Sequence, residues 1–129
     1  MDGEILPDTN IVIPWMTDEA TILMRLGQAE SIFLSSIVVG ELYFGAFKSG
    51  RMEANLSRVE TLLEGKDILT VDEETSRIYG RIKQELKLKG RPIPENDIWI
   101  AAHALQYDLT LITRDAHFSE VTGLRIEHW

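Results

Sequence analysis

The sequence predicts an α/β domain built around a five-stranded, mainly parallel sheet, on three observations. Short apolar runs of strand length alternate with longer stretches whose apolar residues recur at helical spacing. Gly, Pro, Asp and Asn punctuate the boundaries between them. No internal repeat, low-complexity tract or Pro/Gly-rich linker divides the chain, so its 129 residues are expected to form one domain, 1–129.

The elements follow in order. Ile5-Leu6-Pro7-Asp8 reads as a short strand, weakened by Pro7, which has no N–H for a ladder hydrogen bond. Thr17-Asp18-Glu19 caps a helix that puts Ile22, Leu23 and Leu26 on one face. Ser31 to Ser35 is a second strand. An apolar helix runs from Ile37 to Phe47, with Gly50 as its stop, and another from Met52 to Leu63 ends near Gly65. Ile68 to Val71 is a third strand. Asp72-Glu73-Glu74 then sits at the positive end of a helix carrying Ile78, Ile82 and Leu86 and followed by Gly90. Arg91-Pro92-Ile93-Pro94 is a loop. A helix capped at or beside Asn96 runs through Tyr107 and is apolar nearly all round, as a helix buried against a sheet is. Leu109 to Thr113 and Leu124-Arg125-Ile126 complete the strands.

Composition excludes several functions. Without cysteine there are no disulfides, thiolate nucleophiles or Cys-bound zinc, and a reducing cytoplasm is the expected setting. No apolar run approaches the roughly 20 residues of a membrane-spanning helix. The acidic start Met1-Asp2-Gly3-Glu4 lacks the basic, then apolar, pattern of a signal peptide. The net charge of −8 argues against broad, sequence-independent binding to phosphates. It permits action on a nucleic acid where the negative charge is gathered at a cation site.

Four acids stand out. Asp8 follows the first strand and Asp115 the fourth, which places both at the edge where parallel α/β sheets bind ligands. Asp97 opens the buried helix. Glu41 interrupts the apolar run Ile37-Val38-Val39-Gly40-Glu41-Leu42-Tyr43-Phe44, and a carboxylate there must reach solvent or find a partner. Each has an ordinary explanation alone: an Asx-turn at Asp8, a helix cap at Asp97, a loop closure at Asp115, a solvated helix face at Glu41. Together, converging carboxylates repel one another unless a hard divalent cation such as Mg²⁺ or Mn²⁺ binds between them. Phosphodiester hydrolysis by a metal-activated water is the reaction that suits such a set.

These residues resemble the PIN-domain family, and within it the VapC-type toxins of bacterial and archaeal toxin–antitoxin pairs. The similar segments are Asp8-Thr9-Asn10, Ser35-Ser36-Ile37-Val38-Val39-Gly40-Glu41-Leu42 with Gly45, Asn96-Asp97 with Ala101-Ala102, and Thr113-Arg114-Asp115 with Phe118. They span nearly the whole chain in the family's order. The resemblance implies a PIN-like three-layer α/β/α fold with strand order 3-2-1-4-5. It implies a Mg²⁺- or Mn²⁺-dependent endoribonuclease with Asp8, Glu41, Asp97 and Asp115 as catalytic and metal-binding residues, supported by Thr9, Asn10, Ser35, Asn96 and Thr113. It further implies an RNA substrate, a homodimer, and a VapB-like antitoxin as inhibitor. Pro7 departs from the family's apolar strand residue. Arg114, Lys48 and Arg51 are the foremost candidate RNA contacts, with Lys83, Lys87, Lys89 and Arg91 as further cations.

Three rival readings have distinct signatures. A phosphoryl-accepting receiver domain needs an acidic pair after strand one and a lysine after strand five, where this chain has Asp8 alone and His128. A non-catalytic acidic binding module would be indifferent to EDTA. A PIN nuclease devoted to RNA processing would have no antitoxin. The histidines His103, His117 and His128 lack the spacing of a histidine metal site; His103 is expected to pack within its helix, and His117, two residues past Asp115, carries little weight as a neighbour of the acids. Trp15, Trp99 and Trp129 are expected in core packing or subunit contact.

Overall fold

A computed structural model describes residues 3–129; Met1 and Asp2, half of the acidic start noted above, lie outside the described residues. The elements are β1 (Glu4–Pro7), α1 (Thr9–Met16), α2 (Ala20–Gly27), β2 (Ser31–Ser35), α3 (Ser36–Phe47) and α4 (Met52–Leu63). They continue as β3 (Asp67–Leu69), α5 (Glu73–Lys89), α6 (Glu95–Gln106), β4 (Thr110–Thr113), a 3₁₀ turn (Ala116–Glu120) and β5 (Ile126–His128). The five strands are ordered β3-β2-β1-β4-β5 and every pair is parallel, as the resemblance implied.

Alternation along the strands divides the core between the two faces of the sheet. Leu6, Leu34 and Leu111 join Val38, Leu42, Ile78, Ile82, Ile100 and Phe118 on the face covered by α3 to α6. Ile5 and Ile112, each next in sequence to a residue of that set, face the other way onto Ile11, Ile22 and Leu26 of α1 and α2. Trp15 packs against both clusters and Trp129 against the smaller one. Trp99 stacks on Tyr79, ring centroids 3.8 Å apart.

Pro7 is accommodated because it ends its strand. The ladder to β2 pairs Glu4 with Ser31 and Ile5 with Ile32 and has stopped before Pro7. Asp8 donates its N–H to the Ile112 carbonyl at 2.8 Å, so strand alternation turns the proline nitrogen toward the side where pairing has ended.

The structure adds one helix and moves several boundaries, that of β3 from the expected Ile68–Val71 to Asp67–Leu69 among them. Residues 9–16, to which the patterning assigns no element, form α1 in spite of Pro14; the Asp8 side chain caps it by accepting from the Thr9 N–H at 2.8 Å. Helix α6 has Pro94 rather than Asn96 at its N-cap position, which leaves Asn96 and Asp97 inside its first turn. The last strand lies at Ile126–His128, two residues beyond the expected Leu124–Ile126.

His103 is buried as expected, within a defined relay. Its Nε2 lies 3.0 Å from the Thr70 carbonyl, which can only accept, so this nitrogen carries the proton. Nδ1 therefore accepts from the Ser35 hydroxyl at 2.9 Å, and Ser35 Oγ in turn accepts from the Ile37 N–H at 3.1 Å, capping α3. The relay ties the end of β3, the core helix α6 and the start of α3 to one another. Burial holds the His103 pKa below its ordinary value, which keeps the ring neutral as the relay requires.

Candidate metal centre and active site

Each acid is delivered to the C-terminal edge of the sheet by a different element. Asp8 leaves β1, Glu41 projects from the second turn of α3, Asp97 from the first turn of α6, and Asp115 follows β4. All four line one cleft of about 560 Å³, together with Thr9, Asn10, Ile13, Pro94, Glu95 and Asn96. The N-termini of α1 and α6 also face this edge, and their positive ends offset part of the acids' charge.

Asp8 is the deepest member, 4% exposed. Its Oδ2 accepts from the buried Thr113 hydroxyl at 2.8 Å while Oδ1 takes the Thr9 N–H. Burial nevertheless pushes its pKa up to about 6 against these hydrogen bonds, with the Asp97 and Glu41 charges adding to the rise. Thr113 Oγ1 also accepts from the Asp115 N–H at 3.0 Å and from Asn10 Nδ2 at 3.4 Å; Asn10 Oδ1 receives the Arg114 N–H at 3.1 Å. One buried hydroxyl thus joins the loop after β4 to the loop after β1.

Glu41 finds the partners its apolar setting demands. Oε1 accepts from the Thr9 hydroxyl at 2.5 Å and Oε2 from Asn96 Nδ2 at 3.4 Å. Thr9, Asn96 and Thr113 therefore hold the acids directly, and Asn10 braces them through Thr113 and the Arg114 N–H. Ser35 does not reach them. Its contribution passes through the cap of α3, the helix that carries Glu41.

The opposite wall holds Asp97, half-buried, and Asp115, which is exposed. Burial raises the Asp97 pKa, opposed by a hydrogen bond from His117, whose Nε2 lies 2.7 Å from Asp97 Oδ2. The same nitrogen is 4.0 Å from Asp115 Oδ2. Asp97, Asp115 and His117 each offer a ligand atom within 4.8 Å of the others. Nearness to Asp115, two residues back along the chain, was the one sequence signal for His117; it comes from the 3₁₀ turn after β4, anchored by the fully buried Phe118.

The candidate RNA contacts fall outside this arrangement. Arg114 turns away to bond Glu19 Oε2 at 2.6 Å and the Trp129 carbonyl at 3.3 Å. Lys48 lies over the Phe44 ring and lines a second groove of about 700 Å³, which shares Ile13, Glu41 and Asn96 with the acidic cleft. Arg51 is exposed at the head of α4.

The donor set is one a hard divalent cation fits: carboxylate oxygens from four elements, with hydroxyl and amide groups holding two of them in place. Among the described residues no helix is long and apolar enough to cross a membrane.

Comparison with known proteins identifies the family. The PIN domain family matches residues 5–124. Ribonuclease VapC2 of Haemophilus influenzae is 42% identical over 125 residues, covering 95% of both chains. The tRNA(fMet)-specific endonuclease VapC of Shigella flexneri is 34% identical over 125 residues with the same coverage. Among solved structures, VapBC2 from Rickettsia felis, bound to a DNA fragment from their promoter, superimposes with a TM-score of 0.91 at 30% identity, covering 98% of each chain. DNA-bound VapBC from Salmonella typhimurium gives 0.91 at 32% identity, covering 100% of this chain and 99% of that one. With a family match over residues 5–124 and relatives and structures that cover nearly its whole length, the chain belongs to the PIN-domain family, in its VapC branch.

Proposed function

We propose that this protein is an endoribonuclease dependent on Mg²⁺ or Mn²⁺, and the toxin of a VapBC-type toxin–antitoxin pair. The observation that carries the reading is the meeting of Asp8, Glu41, Asp97 and Asp115, far apart in sequence, in one cleft at the functional edge of the sheet. Relatives named as ribonucleases and as a tRNA endonuclease support RNA as substrate. Neighbours solved as VapBC complexes support a VapB-like antitoxin as partner, and an acidic cleft favours an inhibitor that enters with a basic residue.

The residues divide the work. Asp8 and Glu41, each held by two hydrogen bonds, supply fixed carboxylate oxygens. Asp97 and Asp115 supply the opposite wall. A phosphodiester cannot approach four carboxylates until their charge is offset. A divalent cation supplies that offset and the Lewis acidity to activate water and to stabilise the leaving oxygen. Thr113 and Thr9 keep Asp8 oriented, so little reorganisation is needed when substrate arrives.

The test is RNA cleavage with Mn²⁺, with Mg²⁺ and with EDTA, comparing wild type and Asp97→Asn. Wild type is expected to cut only with a divalent cation. The variant is expected to stay folded and inactive, because it keeps the side chain's size but loses the charge. Unaltered cleavage by pure, folded Asp97→Asn would refute the site. Expressed without the antitoxin, wild type is expected to arrest growth and Asp97→Asn is not; harmless expression of active enzyme would favour an RNA-processing role.

A further inference from the structure

Resting on the metal site proposed above, we infer that His117 is a ligand to that site's cation, so that the wall formed by Asp97, Asp115 and His117 is a mixed oxygen–nitrogen half-site with its own metal preference. The four carboxylates alone would give an all-oxygen set, to which the imidazole adds a nitrogen donor.

The geometry is that of a ligand cluster. Donor atoms about 2.1 Å from a single cation stand roughly 3–4 Å from one another. His117 Nε2 is 2.7 Å from Asp97 Oδ2 and 4.0 Å from Asp115 Oδ2, close to both limits. The imidazole is partly exposed and meets the Asp97 and Asp115 carboxylates from the 3₁₀ turn that follows Asp115, so it can move by a few tenths of an ångström without disturbing the core. Its neighbour Phe118 is fully buried, which fixes the backbone that aims it.

The hydrogen-bond inventory sets this wall apart. Asp8 and Glu41 each have a partner on both oxygens. His117 is the only hydrogen-bonding partner of the Asp97 carboxylate among the described residues, and it bonds Oδ2 alone. Without a cation, a proton on Nε2 makes that bond. A cation would instead call for the tautomer protonated on Nδ1, which presents the Nε2 lone pair. Imidazole nitrogen suits Mn²⁺ and later transition ions better than Mg²⁺, which prefers oxygen and retains water. His117 therefore biases the site toward Mn²⁺.

The experiment reads the ligand directly. Mn²⁺ is added to the metal-free full-length protein and its pulsed EPR spectrum is recorded for ¹⁴N modulation, alongside Mn²⁺ and Mg²⁺ affinities by calorimetry. Wild type is expected to show imidazole-type ¹⁴N modulation, which disappears in His117→Ala and in His117→Gln. Gln keeps a hydrogen-bond donor for Asp97 but has no ring nitrogen, so it separates ligation from mere positioning. The preference for Mn²⁺ over Mg²⁺ is expected to fall about tenfold in both variants. Tight, Asp97-dependent Mn²⁺ binding without ¹⁴N modulation would overturn the role of His117 and leave the acidic site standing. Mn²⁺ binding no tighter in wild type than in Asp97→Asn would overturn the site itself. Modulation that survives His117→Gln would assign the nitrogen to another residue and end the proposal.

Discussion

The two walls of the cleft are built on opposite principles. Asp8 is buried, fixed at both oxygens and destabilised as an anion; Asp115 is exposed, with its backbone rather than its carboxylate tied to Thr113. The buried wall keeps geometry at a cost in folding free energy, and the open wall keeps access at a cost in geometry. A cation between them is held by one rigid side and one adjustable side. Activity should therefore depend more steeply on Asp8 than on Asp115.

The sharpest way to break the comparison is Asp8→Asn. Cleavage is expected to fall by about a thousandfold, since a fixed metal-binding charge is lost. The metal-free protein should become more stable at pH 7 by at most about 3 kcal/mol, from a folded pKa of about 6 against an ordinary value of 3.8. The sign follows from proton uptake. Between these values the folded wild type holds a proton that the unfolded chain has released, so Asp8's contribution is fully favourable below pH 3.8 and lost as pH rises through about 6. Melting curves of metal-free wild type and Asp8→Asn should converge as pH falls from 7 to 4. A constant gap would mean that Asp8 is not strained.

Next in size is Thr113→Val, which removes the hydroxyl shared by both walls. Cleavage is expected to drop about 10- to 100-fold, and stability by about 1–2 kcal/mol because buried partners lose a hydrogen bond. Chemical denaturation and single-turnover cleavage read the two effects. Asp115→Asn should be milder, costing about tenfold in cleavage and leaving stability within about 0.5 kcal/mol. A loss as large as that of Asp8→Asn would erase the distinction between Asp8 and Asp115.

The smallest effect on cleavage is expected from His103→Leu, outside the cleft. It should cost about 2 kcal/mol of stability by breaking the Ser35–His103–Thr70 relay, while cleavage per folded molecule changes less than about threefold. Its pH behaviour opposes that of Asp8. With a folded pKa held below 6.5, His103 stabilises the protein above that value, and this contribution is lost as pH falls. The variant should lose less stability than wild type between pH 7 and pH 5.

The sequence by itself determined the alternation of elements, the sheet's parallel character and the four acids. Strand and helix periods are local, and an acid such as Glu41 inside an apolar run is conspicuous without coordinates. Asp8 and Asp115 were legible from the ends of strands for the same reason. Helix α1 was hidden by Pro14, because propensity cannot foresee that the Asp8 cap and burial of Ile11 and Val12 outweigh one proline. The shared hydroxyl of Thr113 was legible only as a family position, its hydrogen bond to Asp8 being a contact across 105 residues of chain. Only the tertiary structure decided that His117 faces Asp97, that Arg114 is taken by Glu19, and that Ser35 serves a helix cap rather than the acids. A side chain's direction is set by what packs behind it, as buried Phe118 does for His117, and no local pattern records that.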